Sequence, residues 1–245
     1  PTRRSSDLGT FMTKKYEYVV SQLEKEIFNK VYDHTKKLPT EEELMKRFEV
    51  SRNTIRKSIE ILGSHGYIYQ IQGSGVFLRD VSSPGYMMMK DIGGLDKTMK
   101  DYKYSKKLLS LSIIEADEEL AGKMKCNLGT KIYYVKRLRY VNDVPFEIEE
   151  SFYNKDVIPY LNDEICNDSI FRYIREDLKL KIGFADRLLS CNKLNKEEAT
   201  LLNLKENDPV LIIDNTVFLN NGIIFVISKN KYNYMETKIL SLVSL

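Results

Sequence analysis

Apolar positions in the first eighty residues recur at helical spacing. Tyr16, Val19, Val20, Leu23 and Ile27 fall on one stripe, so residues 14–32 are predicted to form a helix that floors a small domain. Thr40 opens a second helix. Glu43, three residues on, completes a capping box, and Leu44, Met45 and Phe48 turn inward. Ser51 caps a third helix, predicted over residues 52–63. Its Ile55, Ile59 and Leu62 share one face, which leaves Arg52, Asn53, Arg56 and Lys57 on the other side near the N-terminal end. Residues 67–70 and 76–78 read as strands. Between them Gly73-Ser74-Gly75 forms a hairpin tip whose backbone can lie close to a partner.

Beyond residue 80 the pattern changes. Residues 80–90, centred on Ser82-Ser83-Pro84-Gly85, are predicted to be a linker, and a short helix is expected near residues 95–102. Two segments then align without a gap at an offset of 78 residues: Asp117 with Asn195, Glu119 with Glu197, Ala121 with Ala199, Ile132 with Val210, Tyr140 with Phe218, Asn142 with Asn220. Each unit reads as a strand, a capped helix, and two strands joined by a tight turn. The turns are Asn142-Asp143 and Asn220-Asn221-Gly222. Residues 158–161 and 169–178, between the units, are predicted helical. A duplicated β-α-β-β unit implies an α+β domain with one antiparallel sheet, helices on one side, and a cleft where the halves meet. Residues 1–13 have neither period and read as a disordered arm or a sequence remnant. The division is then 1–13, 14–79, 80–90 and 91–245.

Composition narrows the function. In 245 residues with 42% hydrophobic content there is room for two domains with real cores. No apolar run reaches the roughly 18 residues that span a bilayer, and no signal-peptide pattern is visible, so a soluble, cytoplasmic protein is expected. Cys126, Cys166 and Cys191 are too scattered for a disulfide framework or a zinc motif. His34 and His65 stand without a carboxylate or cysteine cluster. No catalytic set, metal site or cofactor is therefore expected. The net charge is only +3, but residues 1–80 carry 14 Lys/Arg against 11 Asp/Glu, while residues 81–245 carry 24 of each. The excess sits beside the third helix, where a DNA duplex offers a dense line of phosphates. Such a helix meets base edges with its N-terminal turn and phosphates with its guanidinium and ammonium groups.

The second half has its own candidate chemistry. Arg137 and Arg139 are two apart on a strand and face the same side as Tyr133, Val135 and Val141. Two guanidiniums in a partly apolar cleft repel each other unless an anion lies between them, and a phosphate meets that need. The alternative is that both are surface residues paired with Glu147 and Glu149. Ser169 is placed to cap a helix, and Tyr232 can serve as edge packing or as a ligand contact.

Residues 38–77 resemble the winged helix-turn-helix of the GntR family of bacterial repressors. The matching positions are Leu38-Pro39-Thr40-Glu41, Glu43-Leu44, Phe48, Val50-Ser51-Arg52, Thr54-Ile55-Arg56, Leu62, Gly66-Tyr67-Ile68 and Gly73-Ser74-Gly75. The resemblance implies DNA contacts from Thr40, Ser51, Arg52, Asn53, Thr54, Arg56, Lys57 and the wing residues Gln72, Gly73, Ser74 and Gly75. One departure is Glu42, where the family usually has an arginine that often contacts DNA. From about residue 104 the chain resembles the UTRA effector domain of the HutC branch, which has a chorismate-lyase-like fold. The residues that carry this are Val135-Lys136-Arg137-Leu138-Arg139-Tyr140, Pro145, Glu149, Ser151 and Tyr153. The combined pattern is most similar to trehalose-operon repressors, with amino-sugar repressors next.

By that resemblance Arg137, Arg139 and Ser169 hold a phosphate, and Glu149 and Tyr232 meet sugar hydroxyls. Ile224 and Val226 depart from a proline and a glutamate often found there. The expectation is a homodimeric repressor that binds double-stranded operator DNA, uses residues 91–245 for effector binding and dimerisation, and is released by a small anionic effector, a sugar phosphate such as trehalose 6-phosphate. Two alternatives stand beside it: a constitutive DNA-binding protein with a non-sugar or degenerate pocket, and a lyase-like enzyme.

Overall fold

The structure, a computed structural model, describes residues 15–79, 86–88 and 103–241. The expected arm at 1–13, the linker centre at 82–85 and the short helix near 95–102 lie outside those residues. The chain divides into two compact units between Pro84 and Gly85.

In the first unit α1 (Lys15–Phe28), α2 (Glu41–Phe48) and α3 (Arg52–Ser64) precede the hairpin β1 (Ile68–Ile71) and β2 (Gly75–Leu78). Helix α1 stops a turn earlier than predicted. Lys30 takes a left-handed φ of 58°, and the Lys30 and Val31 amides turn back to the Ile27 and Glu26 carbonyls. Tyr32 is buried from the following turn rather than from the helix. Both α1 and α2 pack on α3, and Val19, Leu23, Leu44, Ile55, Ile59 and Leu62 are buried. Each such side chain contributes about 1.5–3 kcal/mol. The Thr40–Glu43 capping box is formed, and Ser51 accepts from the Thr54 amide at 3.3 Å. In the hairpin Ile68 pairs with Leu78 and Ile71 with Gly75, and Lys37 bridges to Phe77. Its turn needs Gly73 at a φ of 76°.

The second unit is built on a six-stranded antiparallel sheet. Its strands are β4 (Tyr104–Glu115), β5 (Lys131–Val141), β6 (Val144–Asn154), β7 (Ile182–Lys193), β8 (Pro209–Leu219) and β9 (Ile224–Asn233), in the order β4-β5-β6-β9-β8-β7. That order is what the repeat requires, with one unit on each side of the β6–β9 junction. Asp117 caps α4 (Glu118–Met124), and Asn195 caps α7 (Lys196–Leu202) with Glu198 completing a box. Asn142 and Asp143 both have positive φ, which gives the two-residue hairpin a twist that matches its strands.

Helices α5 (Asp163–Asn167) and α6 (Ile170–Glu176) lie between the units. Three expectations need correction here. Helices cover both faces of the sheet, not one. Cys166, Ile170 and Ile174 of α5 and α6 pack with Tyr133, Val135, Tyr153 and Val217. Strand alternation presents Ile132, Leu138 and Ile148 on the opposite face, where α4 and α7 bury Met124 and Leu202. Residues 158–161 are not helical. Pro159 offers no amide donor, the Ile158 amide turns back to Asn154, and Asn162 starts the helix by accepting from Ile165. Within the expected linker, β3 (Tyr86–Met88) pairs in parallel with β10 (Lys238–Leu240).

Candidate functional site

The first unit presents α3 by its N-terminal end. Ile55, Ser58 and Ile59 face inward, while Arg52, Asn53, Arg56 and Lys57 are exposed and Thr54 is half-buried beside the cap. The hairpin tip at Gln72, Gly73 and Ser74 is exposed as well, and Gly75 is half-buried. A Cβ at Gly75 would lie 2.5 Å from Lys37 Cε, so a side chain there would push the lysine aside.

The basic residues are not equivalent. Arg47, itself exposed, is held against α1 and the turn after it, where Nη1 donates to Glu26 Oε2 at 3.0 Å and to the Tyr32 hydroxyl at 3.3 Å. The two arginines of α3 share acids from α2. Arg56 Nε donates to Glu41 Oε1 and Oε2 at 3.1 and 3.2 Å. Arg52 lies 3.7 Å from Glu41 and 3.6 Å from Glu42. Lys57 pairs with Glu60 at 3.0 Å. These are solvent-exposed pairs, worth little each, and phosphates can displace them. Sequence reading located the arginines but not the acids that hold them, because the pairing depends on how α2 packs on α3.

In the second unit Arg137 and Arg139 of β5 stand opposite Glu149 and Glu147 of β6, on the face covered by α5 and α6. Arg137 is 2% exposed, and the other three are buried with it. The surface alternative is thus ruled out, yet the pairing it named is real. Glu149 is the hub. Arg137 donates from Nε to Oε2 and from Nη2 to Oε1, each at 2.8 Å. Arg139 donates from Nε and Nη2 to Oε2 at 3.0 and 2.6 Å. Ser151 Oγ donates to Oε1 at 2.9 Å, and Arg137 Nη1 reaches the Cys166 carbonyl of α5 at 2.9 Å. Burial pushes the Glu149 carboxyl up, but the two guanidiniums outweigh it and hold the group well below the usual carboxylate range.

Glu147 behaves differently. Burial pushes its carboxyl up; Arg139 opposes the rise, with Nη1 3.7 Å from Oε2, while Glu149 adds to it. Oε1 accepts from Asn230 Nδ2 of β9, and Oε2 has no hydrogen-bond partner among the described residues. Asn215 Nδ2 of β8 extends the polar strip to Ser228 Oγ at 3.1 Å and Asn230 Oδ1 at 3.5 Å. Tyr232 is opposite Glu147 in the ladder. Its ring packs edge-on to Phe146 with centroids 5.8 Å apart, and burial followed by Glu147 raises its hydroxyl well above the ordinary value. Ser169 caps α6 by accepting from the Arg172 amide at 3.3 Å, three residues after the carbonyl that receives Arg137. Val226 lies against Val217 in the buried cluster under α5 and α6.

The cluster therefore joins Arg137, Arg139, Glu149 and Tyr232 at the β6–β9 junction, with Glu147, Ser151, Asn230 and Asn215 added. Alternation along β6 and β9 was the available signal for the additions, since Glu147, Glu149 and Ser151 share a face. No group of His, Cys, Asp or Glu that could hold a metal ion occurs among the described residues, and none of their helices is long and apolar enough to cross a membrane.

Comparison with known proteins places this geometry. The family described as bacterial regulatory proteins, gntR family, matches residues 15–78, and the family described as UTRA domain matches residues 100–236. The HTH-type transcriptional regulator YydK of Bacillus subtilis (strain 168) is 40% identical over 224 residues, which are 91% of this chain and 95% of its own. The HTH-type transcriptional repressor NagR of that organism is 30% identical over 222 residues, 89% of each chain. Its HTH-type transcriptional regulator TreR is 26% identical over 196 residues, 80% of this chain and 82% of its own, which singles out no special nearness to that regulator. The crystal structure of YydK matches with a TM-score of 0.76 at 39% identity, covering 93% of this chain and 98% of that one.

Proposed function

Because the chain belongs to the GntR family of bacterial regulatory proteins and carries a UTRA domain, it is a DNA-binding transcriptional regulator and not an enzyme, and we propose that it is a homodimeric repressor of a sugar-utilisation operon. Each copy sets α3 in the major groove of one half-site, with the wing at Gln72–Gly75 on the adjacent backbone. A small anionic metabolite, a sugar phosphate such as trehalose 6-phosphate, binds at the β6–β9 junction and releases the operator.

One observation carries the effector class. Two buried guanidiniums share a single ionised carboxylate, Glu149, while the neighbouring Glu147 is held towards its neutral form. Two planar donor forks set on one buried carboxylate are a geometry that the oxygens of a phosphate ester can also meet. To do so it must share or displace Glu149. The test is a thermal-shift screen of sugar phosphates against the wild type and Glu149→Gln. The substitution removes the internal counter-ion and costs about 3–5 kcal/mol. Phosphate esters are expected to raise the melting temperature of both proteins, and that of the variant more. Loss of stability without recovery would mean that the arginines serve the fold alone.

Val226 favours a second reading. It is an apolar core residue where the resemblance leads one to expect a hydroxyl-reading glutamate. A regulator with a non-sugar effector, or none, would bind operator normally and show no shift with any sugar phosphate.

A further inference from the structure

The hairpin β1–β2 is extended by a segment from elsewhere in the first unit. Residues 36–38, between α1 and α2, lie antiparallel along β2. The Leu38 amide donates to the Val76 carbonyl and the Leu78 amide to the Lys36 carbonyl, each at 2.9 Å, and Lys37 stands opposite Phe77. Phe77 is in turn opposite Tyr69 of β1. Alternation puts Leu38, Leu78 and Ile68 towards the core, where all three are buried, and the row Lys37, Phe77, Tyr69 on the other face.

Lys37 is fixed on that row from two sides. Its stem crosses the hairpin at Gly75, where a Cβ would lie 2.5 Å from Cε and 3.1 Å from Nζ. Its ammonium sits 5.4 Å from the centre of the Phe77 ring, an attraction between a cation and a ring face. Tyr69, itself 48% exposed, stacks on that ring from the far strand with centroids 5.7 Å apart. The charge is thereby held at the base of the exposed tip Gln72–Ser74. It also differs from the cations of α3. Arg52, Arg56 and Lys57 each have an acid to give up before they can take a phosphate. Among the described residues no carboxylate pairs with Lys37.

We propose that Lys37 is a further DNA-binding residue, whose ammonium takes a backbone phosphate next to the one that the hairpin tip meets. This rests on the reading above that the wing at Gln72–Gly75 lies on the DNA backbone. The occupant is a phosphate because the ammonium is a compact point charge with no internal acid to neutralise it, and its place is continuous with the tip. The arginines of α3 trade a carboxylate for a phosphate, so part of what they gain is already present in the free protein. Lys37 breaks no ion pair and releases a counterion from the duplex. Gly75 then has a use besides its turn. The lysine stem occupies the space of its missing side chain, so any larger residue there displaces the charge.

The experiment is duplex binding by the full chain across a salt series, with one duplex selected from random sequences by the wild type and one unrelated duplex. Lys37→Met keeps an apolar stem against Gly75 and Phe77 and removes the charge. It is expected to lower the slope of log affinity against log salt by about 0.9, and affinity by about five-fold at about 0.15 M salt, equally for both duplexes. Lys37→Arg should restore slope and affinity. A K37M slope equal to that of the wild type overturns the proposal and leaves Lys37 to shape the hairpin alone. A loss confined to the selected duplex overturns it too, since that is the mark of a base contact. Ser74→Glu tests the wing reading separately by adding a negative charge at the exposed tip. It should weaken binding to both duplexes. If it does not, the wing lies away from the backbone, and the reading on which Lys37 depends is what has failed.

Discussion

Glu147 and Glu149 are two residues apart on one strand, share one face, and have their protons held in opposite directions. The difference lies in what each touches. Glu149 receives both arginine forks and Ser151, so its ionised form is favoured despite burial. Glu147 accepts from one side-chain amide, has the Tyr232 hydroxyl beside it, and faces a guanidinium 3.7 Å from Oε2, an oxygen without a hydrogen bond among the described residues. The stability consequences have opposite sign. Glu149, with its folded-state value depressed, stabilises above the ordinary 4.5, and that contribution is lost as pH falls towards its lowered value. Glu147, with its value raised, contributes fully below 4.5 and loses that contribution as pH rises through the raised value. Glu147→Gln keeps an acceptor for Asn230 and stays neutral. Its melting temperature should gain on the wild type steadily as pH is raised from 4.5. A difference that does not change with pH would show that Glu147 does not titrate in that range.

At the scale of elements, α2 and α3 form a unit in which acids of one hold arginines of the other. Glu41 grips Arg56 by the inner nitrogen, Nε. Glu42 adds a negative charge beside Arg52. On the proposed DNA face an arginine at this position would add a phosphate contact. Glu42→Arg should tighten binding to any duplex and steepen the dependence of log affinity on log salt by about 0.9 for one added phosphate contact. Binding by an operator selected from random duplexes should gain no more than binding by unrelated DNA. An unchanged salt slope in a titration series would place residue 42 away from the backbone.

For the whole molecule, an effector that releases DNA must bind one arrangement of the two recognition helices better than another, since equal affinity for both would shift nothing. Linkage then makes the effect mutual. If a sugar phosphate weakens operator affinity by some factor, saturating operator must weaken sugar-phosphate affinity by the same factor. Calorimetric titration of the effector with and without operator measures this directly, and unequal factors would mean that the two ligands do not report on one shared equilibrium.

The chain's own order of residues determined the local and periodic features. Thr40 with Glu43, Ser51, Asp117 and Asn195 mark helix starts by their hydroxyl, carboxylate or amide oxygens. Asn142-Asp143 and Gly73 mark turns, and the 78-residue repeat set the symmetry of the sheet order. These are settled within a few residues by side-chain chemistry and backbone sterics, or by a period that counting reveals. Tertiary structure decided what pairs across distance: that Glu149 fills the space between Arg137 and Arg139, that Glu41 holds Arg56, that residues 86–88 join 238–240, and that helices lie on both faces of the sheet. Alternation along a strand shows which residues share a face, but the partner on the next strand depends on register. Register and layer are set by the packing of the whole core.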